Sequence, residues 1–270
     1  MGALAVQLLG AEHPLAGEWL RWTAWHPELR VTALVAPARA GDTAEELHPS
    51  LFGWRGLAAQ TEAGSADVTV ILPDWDRAVP PDAGQQVDFR SGASGAAVLP
   101  ELRGPSDLTL LAGLPPRTLA AALALEPLLQ GRVVSPREPI GHRLSGEELA
   151  ALRPLLRGHF SFEAWEGEGL RIPLFEGYSE HDALAAYRDT FRGHPWVRLR
   201  RDLQIPQGVE GSPACELSLR VLEREDPEIP IPLLGVTSAL DPWPALAARG
   251  VAALNLSRGW PALLGLVPGA

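Results

Sequence analysis

The sequence predicts an α/β protein: an N-terminal Rossmann-type parallel sheet plus a smaller α+β domain. Three observations carry that prediction. The chain opens as strand, glycine turn and helix; strand and helix segments then alternate as far as Leu129; and beyond Arg132 the order becomes strand-rich with isolated helices. Alternation of the first kind argues for a parallel sheet covered on both faces, with ligands met at the carboxyl ends of its strands.

The opening stretch runs Ala5-Val6-Gln7-Leu8-Leu9-Gly10-Ala11-Glu12-His13-Pro14-Leu15-Ala16-Gly17. Dinucleotide-binding domains begin this way because a turn without side chains and the first amides of a helix can receive a pyrophosphate. The spacing Gly-x-x-Gly-x-x-Gly is only partly met: Gly10 and Ala11 lead in, His13 and Ala16 take the second and third glycine positions, and Gly17 comes one residue late. Glu18 to Trp25 then reads as helix, with Trp19, Trp22 and Trp25 three apart on a buried face. Leu29 to Val35 is a second strand. After it, Arg39 stands where a 2'-phosphate would be met, which is compatible with a phosphorylated dinucleotide and equally with a solvated loop arginine.

Ala66 to Leu72 is a buried strand ending in Pro73-Asp74-Trp75, Gln86 to Arg90 a short strand and turn, Leu108 to Ala112 a further strand, and Thr118 to Leu129 a helix rich in Ala and Leu. Past Arg132 come Val133-Val134, a helix over Glu147 to Leu156, strands at Phe160 to Trp165 and Leu170 to Leu174, an amphipathic helix over Glu180 to Arg192, and strands at Leu217 to Leu222 and Leu233 to Thr237. Pro244 to Leu264 reads as a long helix broken near Gly259-Trp260-Pro261.

Composition narrows the function. A net charge of -10 over 270 residues argues against nucleic acid as a partner. The dense basic run Arg198-Leu199-Arg200-Arg201 reads as a solvated strand end. No apolar run reaches the ~18 residues of a membrane span, and no basic segment precedes the first apolar stretch, so a cytoplasmic protein is expected. A single cysteine, Cys215, excludes an internal disulfide framework and any cysteine-cluster metal site; the seven histidines show no i, i+4 pair, and no metal is expected. The chain has no lysine, which removes Walker-type phosphate binding, Schiff-base chemistry and pyridoxal phosphate together.

Several stretches, taken in order, resemble the N-acetyl-gamma-glutamyl-phosphate reductases within the aspartate-semialdehyde dehydrogenase group. They are Gly10-Ala11 with Glu18, Leu20 and Arg21; His26-Pro27-Glu28 with Val31 to Leu34; Ala40-Gly41 through Glu46 to Leu51; Asp88-Phe89-Arg90; Leu99-Pro100-Glu101-Leu102; Gly141-His142-Arg143; Gly211-Ser212 with Cys215; and Ala252 to Leu256. The resemblance implies a Rossmann domain for NADP over 1–117, an α+β domain for substrate and oligomerisation over 118–240, and a closing helix over 241–270 that packs back on the first domain. It implies cofactor contacts at Gly10, Ala11, His13, Ala16, Arg39 and Pro73, a substrate cleft around Asp88, Arg90, Gly113, Arg143 and Ser212, and His142 as the acid and base. The implied partners are a small-molecule ligand or a homologous subunit in a homo-oligomer.

The chemistry of that family needs a cysteine thiolate that attacks an acyl phosphate, the resulting thioester being reduced by NADPH. In the corresponding turn, Ala112-Gly113-Leu114-Pro115-Pro116-Arg117-Thr118, the nucleophile position holds Leu114 or Pro116. A second histidine position is Leu144, and the loop that would approach nicotinamide reads Leu72-Pro73-Asp74-Trp75. His13 with Pro14 fills the pyrophosphate turn and removes a backbone donor. The leading reading is a catalytically degenerate relative that binds a metabolite or a partner. The alternatives are an oxidoreductase of the same class with a non-cysteine mechanism, and another reaction pairing His142 with Asp74 or Asp88.

Overall fold

The computed structural model describes residues 2–51, 56–93, 96–97, 99–100, 110–156, 160–200, 209–222 and 231–266. Of the segments named above, Glu101, Leu102, Leu108, Thr109 and Arg201 lie outside the described residues. The chain divides into two compact units, Met1–Leu114 with Pro242–Ala270, and Pro115–Asp241. Among the described residues no helix is long and apolar enough to cross a membrane.

In the first unit, β1 (Leu4–Leu9), α1 (Pro14–Thr23), β2 (Leu29–Val35), α2 (Ala44–Leu47), β3 (Ala59–Gln60), β4 (Val68–Ile71), β5 (Gln85–Asp88), β6 (Ala96–Ala97) and β7 (Leu110–Ala112) follow one another. The strands form one sheet in the order β3-β2-β1-β4-β5-β7-β6, and every pairing is parallel. The expected Rossmann-type sheet is therefore present. Every residue of β4 is buried, as a central strand covered on both faces requires. Its polar member is satisfied: the Thr69 hydroxyl donates to the Ala83 carbonyl at 2.6 Å and accepts from Gln7 Nε2 at 2.8 Å.

The tryptophan face of α1 is shorter than the spacing suggests. Trp19 and Trp22 are buried, but the helix ends at Thr23 and Trp25 is 85% exposed. A turn closed by His26 N–H donating to the Thr23 carbonyl at 3.1 Å carries the chain off the helical path before Trp25 can face inward.

The second unit contains α3 (Pro116–Gln130), β8 (Ile140–His142), α4 (Gly146–Leu152), β9 (Phe162–Ala164), β10 (Leu170–Pro173), α5 (Glu180–Thr190), β11 (Val197–Arg200), β12 (Cys215–Leu222) and β13 (Leu233–Leu240). Its sheet is mixed, in the order β11-β12-β13-β10-β8-β9, with parallel pairs only at its two edges. Val133-Val134 forms no strand; Val134 makes an isolated bridge to Leu174. α3 is buried from Thr118 to Leu129, the signature of a helix apolar all round. Tyr187 of α5 fastens to it by donating its hydroxyl to the Ala124 carbonyl.

The last helix, α6 (Pro242–Ser257), belongs to the first unit. It lies against α1 because Gly250 has no side chain: a methyl there would come within 2.6 Å of Trp19 Cζ2 and 2.9 Å of Phe89 Cζ. The anticipated break falls at Gly259, whose φ of +72° ends the helical path. His26 Nε2 donates to Asn255 Oδ1 at 2.9 Å, while the amide of Asn255 donates to the Ala262 and Leu264 carbonyls at 3.0 and 2.9 Å.

Gly250→Ala decides which of two effects wins. An alanine inside a helix gains about 1 kcal/mol over glycine, whereas overpacking a core costs about 1–3 kcal/mol. Because the rings of Trp19 and Phe89 both stand in the way, a net loss of about 1 kcal/mol or more in urea denaturation is expected. Gly146→Ala, where the added methyl meets nothing within 4 Å, should be neutral or stabilising.

Candidate functional site

The carboxyl ends of β1, β2 and β4 are where a doubly wound sheet receives a ligand. Here their last residues, Leu9, Val35 and Ile71, form a buried apolar cluster with Trp75, to which Ala63 and Val79 add. Trp75 is only 6% exposed. It is delivered by the turn after β4, in which Trp75 N–H donates to the Leu72 carbonyl at 3.1 Å and Pro73 and Asp74 form the bend. A methyl on Gly10 would make ordinary contact with Leu72 and Trp75 at 3.5–3.6 Å, and it is the φ of +81° that calls for glycine.

Most amides of the turn into α1 are bonded internally. Gly10 and Ala11 N–H both donate to the Val35 carbonyl at 2.9 Å, His13 N–H donates to the Gly10 carbonyl at 3.0 Å, and Ala16 N–H to the His13 carbonyl at 2.9 Å. Leu15 N–H donates to His13 Nδ1 at 3.1 Å, so the His13 ring is the N-cap of the helix. Pro14 has no amide to give. The other face of the His13 ring packs edge-on against Trp243, centroids 4.7 Å apart.

A second imidazole closes the same turn. His48, just after α2, donates from Nε2 to the Ala11 carbonyl at 2.7 Å. Its ring lies flat on α1 where a methyl at Gly17 would be 3.0 Å from Cγ and Nδ1. Sequence reasoning did not find His48; the signal was the displaced glycine at 17, which marks a close approach rather than a phosphate. Burial pulls the His13 and His48 imidazoles below their usual range, and each is neutral at pH 7. Asp74 and Glu12 act on His13 as nearby negative charges, an unfavourable field for an arriving anion. Arg39 sits in a short turn at Pro37–Arg39 and is ion-paired with Asp42.

The candidate cleft residues have partners of their own. Asp88, at the end of β5, holds Arg90 in a two-pronged pair, with Arg90 Nε 3.0 Å from Oδ1 and its terminal nitrogen 2.7 Å from Oδ2. The carboxylate raises the Arg90 guanidinium further above its ordinary range. Gly113 N–H donates to the Asp88 carbonyl at 2.7 Å, and Gly113 is glycine because the Phe89 ring occupies the space of a Cβ. Leu114 is buried and closes the first unit, while Pro116 is the first residue of α3. Thr118 turns its hydroxyl to the Glu148 carbonyl at 3.2 Å.

In the second unit His142 ends β8. Its Nδ1 accepts from Leu144 N–H at 3.0 Å, which puts the ring proton on Nε2. Burial, with Arg153 as the nearby positive charge, lowers its pKa, and the ring packs edge-on to Phe162 at 5.7 Å. Arg143 beside it is exposed. Ser212 lies in the turn before β12, with β13 and β10 between that strand and β8; its hydroxyl accepts from Ala214 N–H at 3.2 Å. The structure thus does not bring Ser212 to His142. Cys215 is fully buried. Arg200, in the basic run, is no free strand-end charge: Nε and its terminal nitrogen are 3.0 and 2.8 Å from Oε1 of buried Glu216. Among the described residues no cluster of three or more His, Cys, Asp or Glu could hold a metal ion.

No protein-family model matches the chain. Among solved structures it is similar to aspartate semialdehyde dehydrogenase II from Vibrio cholerae, crystallised with ASA, with a TM-score of 0.65 and 12% identity over 95% of this chain and 98% of that one. It is also similar to the aspartate semialdehyde dehydrogenase with NADP from Candida albicans, with a TM-score of 0.58 and 15% identity over 94% of this chain and 100% of that one. The fold is that of the aspartate semialdehyde dehydrogenases. The matched length takes in residues of both units, and the α/β fold expected from the sequence agrees with it.

The buried imidazoles make a pH prediction. His13, His26, His48 and His142 all have folded pKa values below the ordinary value, with burial as the first cause. Between the folded value and the unfolded value of about 6.5 the unfolded chain binds more protons. Stability is therefore full above that upper value and falls as the pH drops below it. Urea midpoints measured from pH 8 to pH 5.5 should decline, and His13→Asn, which keeps a cap acceptor without a titrating ring, should reduce the decline.

Proposed function

We propose that this chain is a non-catalytic relative of the semialdehyde dehydrogenases, descended from the N-acetyl-gamma-glutamyl-phosphate reductase branch of arginine biosynthesis and retained as a cytoplasmic binding or regulatory protein that works as a homo-oligomer. The observation that carries this reading is the filled carboxyl edge of β1, β2 and β4. Trp75 occupies it with Leu9, Val35 and Ile71, and in the α1 turn the amides of Gly10, Ala11, His13, Leu15 and Ala16 are bonded internally, with His13 capping the helix and His48 bonded to the Ala11 carbonyl.

The magnitude matters. Removing a buried tryptophan from its packing costs on the order of 3 kcal/mol, so a ligand that had to displace Trp75 would bind roughly a hundredfold more weakly than to an open crevice. The turn is a poor fit for a dinucleotide pyrophosphate, which weakens NADP as a ligand of this chain. Loss of the nucleophile supports the same reading from another side. Leu114 and Pro116 form no thioester, Thr118 has its hydroxyl committed to the Glu148 carbonyl, and Cys215 is buried on a different strand.

Purified protein should show no NADPH oxidation with N-acetylglutamyl phosphate or aspartyl phosphate, and saturating NADP should leave its Tm unchanged. Turnover above the uncatalysed rate would overturn the non-catalytic reading. A clear rise of Tm with NADP would overturn the closed crevice while leaving the fold assignment intact.

A further inference from the structure

A groove of about 890 Å³ lies wholly within the second unit, between α5 and the strands β11 and β12. It therefore stands or falls independently of the reading of the first unit. Its floor follows from the register. Val197 pairs with Cys215 and Leu199 with Leu217, so Val197, Leu199 and Leu219 share one sheet face by the two-residue period. From the helix side, Leu184, Tyr187 and Phe191 complete the floor. Leu184 and Leu199 are only partly buried, so the groove keeps some apolar surface in contact with water, which a bound apolar body would remove.

The rim is cationic in a chain whose net charge is -10: Arg188 and Arg192 stand against the carboxylate of Glu180, while the Arg200 side chain, alternate to Leu199, lies on the other sheet face. Arg200 is spoken for by Glu216. Arg192 has Asp189 at 3.6 Å, with both side chains largely in water, a contact worth little. Arg188 makes no ion pair among the described residues. One cation at the carboxyl end of α5 is explained by the helix macrodipole. Arg192, just past the helix end, adds a second cation to the groove lining, and a carboxylate or phosphate can accept charge-assisted hydrogen bonds from such groups.

We propose that this groove is a binding site for an amphiphilic organic anion, a carboxylate or phosphate head held by Arg188 and Arg192 with an apolar body laid along Leu184, Leu199 and Leu219. The volume falls within the range of ordinary small-molecule sites, about 300–1,000 Å³. The Tyr187 hydroxyl takes no part, being committed to the Ala124 carbonyl.

Titration calorimetry of the full chain with decanoate, decyl phosphate and 1-decanol tests the site. Saturable binding of one decanoate or decyl phosphate per chain is expected, the tighter of the two naming the head group, with 1-decanol at least tenfold weaker. R188Q/R192Q, which changes only exposed side chains, should weaken the anions by roughly tenfold, the effect of losing about one charge-assisted hydrogen bond. L199W, checked for folding by circular dichroism, should block binding of all three. Absence of saturable binding, equal binding of 1-decanol, or unchanged affinity in R188Q/R192Q would each overturn the proposal.

Discussion

The first unit is held together by one aromatic ring. Phe89, just past β5, sits with Gly113 against it from the end of β7, Gly250 against it from α6, and Trp19 edge-on from α1 at 6.3 Å. Four segments far apart in sequence meet on that side chain, and two of them are glycine because nothing larger fits. The parallel sheet needs its faces covered, and α6 supplies cover that the first 114 residues lack. The polar bonds around it, Gln85 Nε2 to Ser257 Oγ at 2.7 Å and His26 to Asn255 at 2.9 Å, fix the register of the returning helix rather than drive its burial.

At the carboxyl edge of the same sheet the physics runs against ligand entry by several routes at once. The cluster around Trp75 is apolar, the amides of Gly10, Ala11, His13 and Ala16 are bonded to Val35, Gly10 and His13, and burial lowers the pKa of the two imidazoles that might have offered positive charge. The region is packed, although the buried Trp75 Nε1 has no hydrogen-bond partner among the described residues. A pyrophosphate site needs the opposite: free amides and room at the helix terminus.

Much of this was legible in the sequence, and for definite reasons. β2 was read to the residue because alternating β-branched and apolar positions end at Ala36-Pro37, and the Rossmann-type opening was read because Gly10 follows an apolar strand. The closed crevice was half legible: His13-Pro14 and Asp74-Trp75 announced it, but His48 did not, since its approach to Gly17 depends on α2 being folded back over α1. Trp25 was misread because helical spacing continues in the letters after the backbone has turned at His26. Ser212, in the turn before β12, and His142, at the end of β8, share a family motif order, yet two strands separate β12 from β8, a separation that only strand order reveals. Arg200 is the solvated strand end that the sequence suggests, but its ion pair is not legible there because Glu216 comes from the neighbouring strand.

The first unit is assembled from two pieces of chain, Met1–Leu114 and Pro242–Ala270, with all of the second unit between them. During synthesis this has an unavoidable order. The ribosome finishes the mixed sheet, whose strands are complete by Leu240, before residue 242 exists. Until α6 emerges, Trp19 and Phe89 lack the helix that covers them, and the nascent parallel sheet waits with an open apolar face. Such a state invites chaperone capture and aggregation. The second unit, by contrast, is contiguous and can fold as soon as its last strand is made.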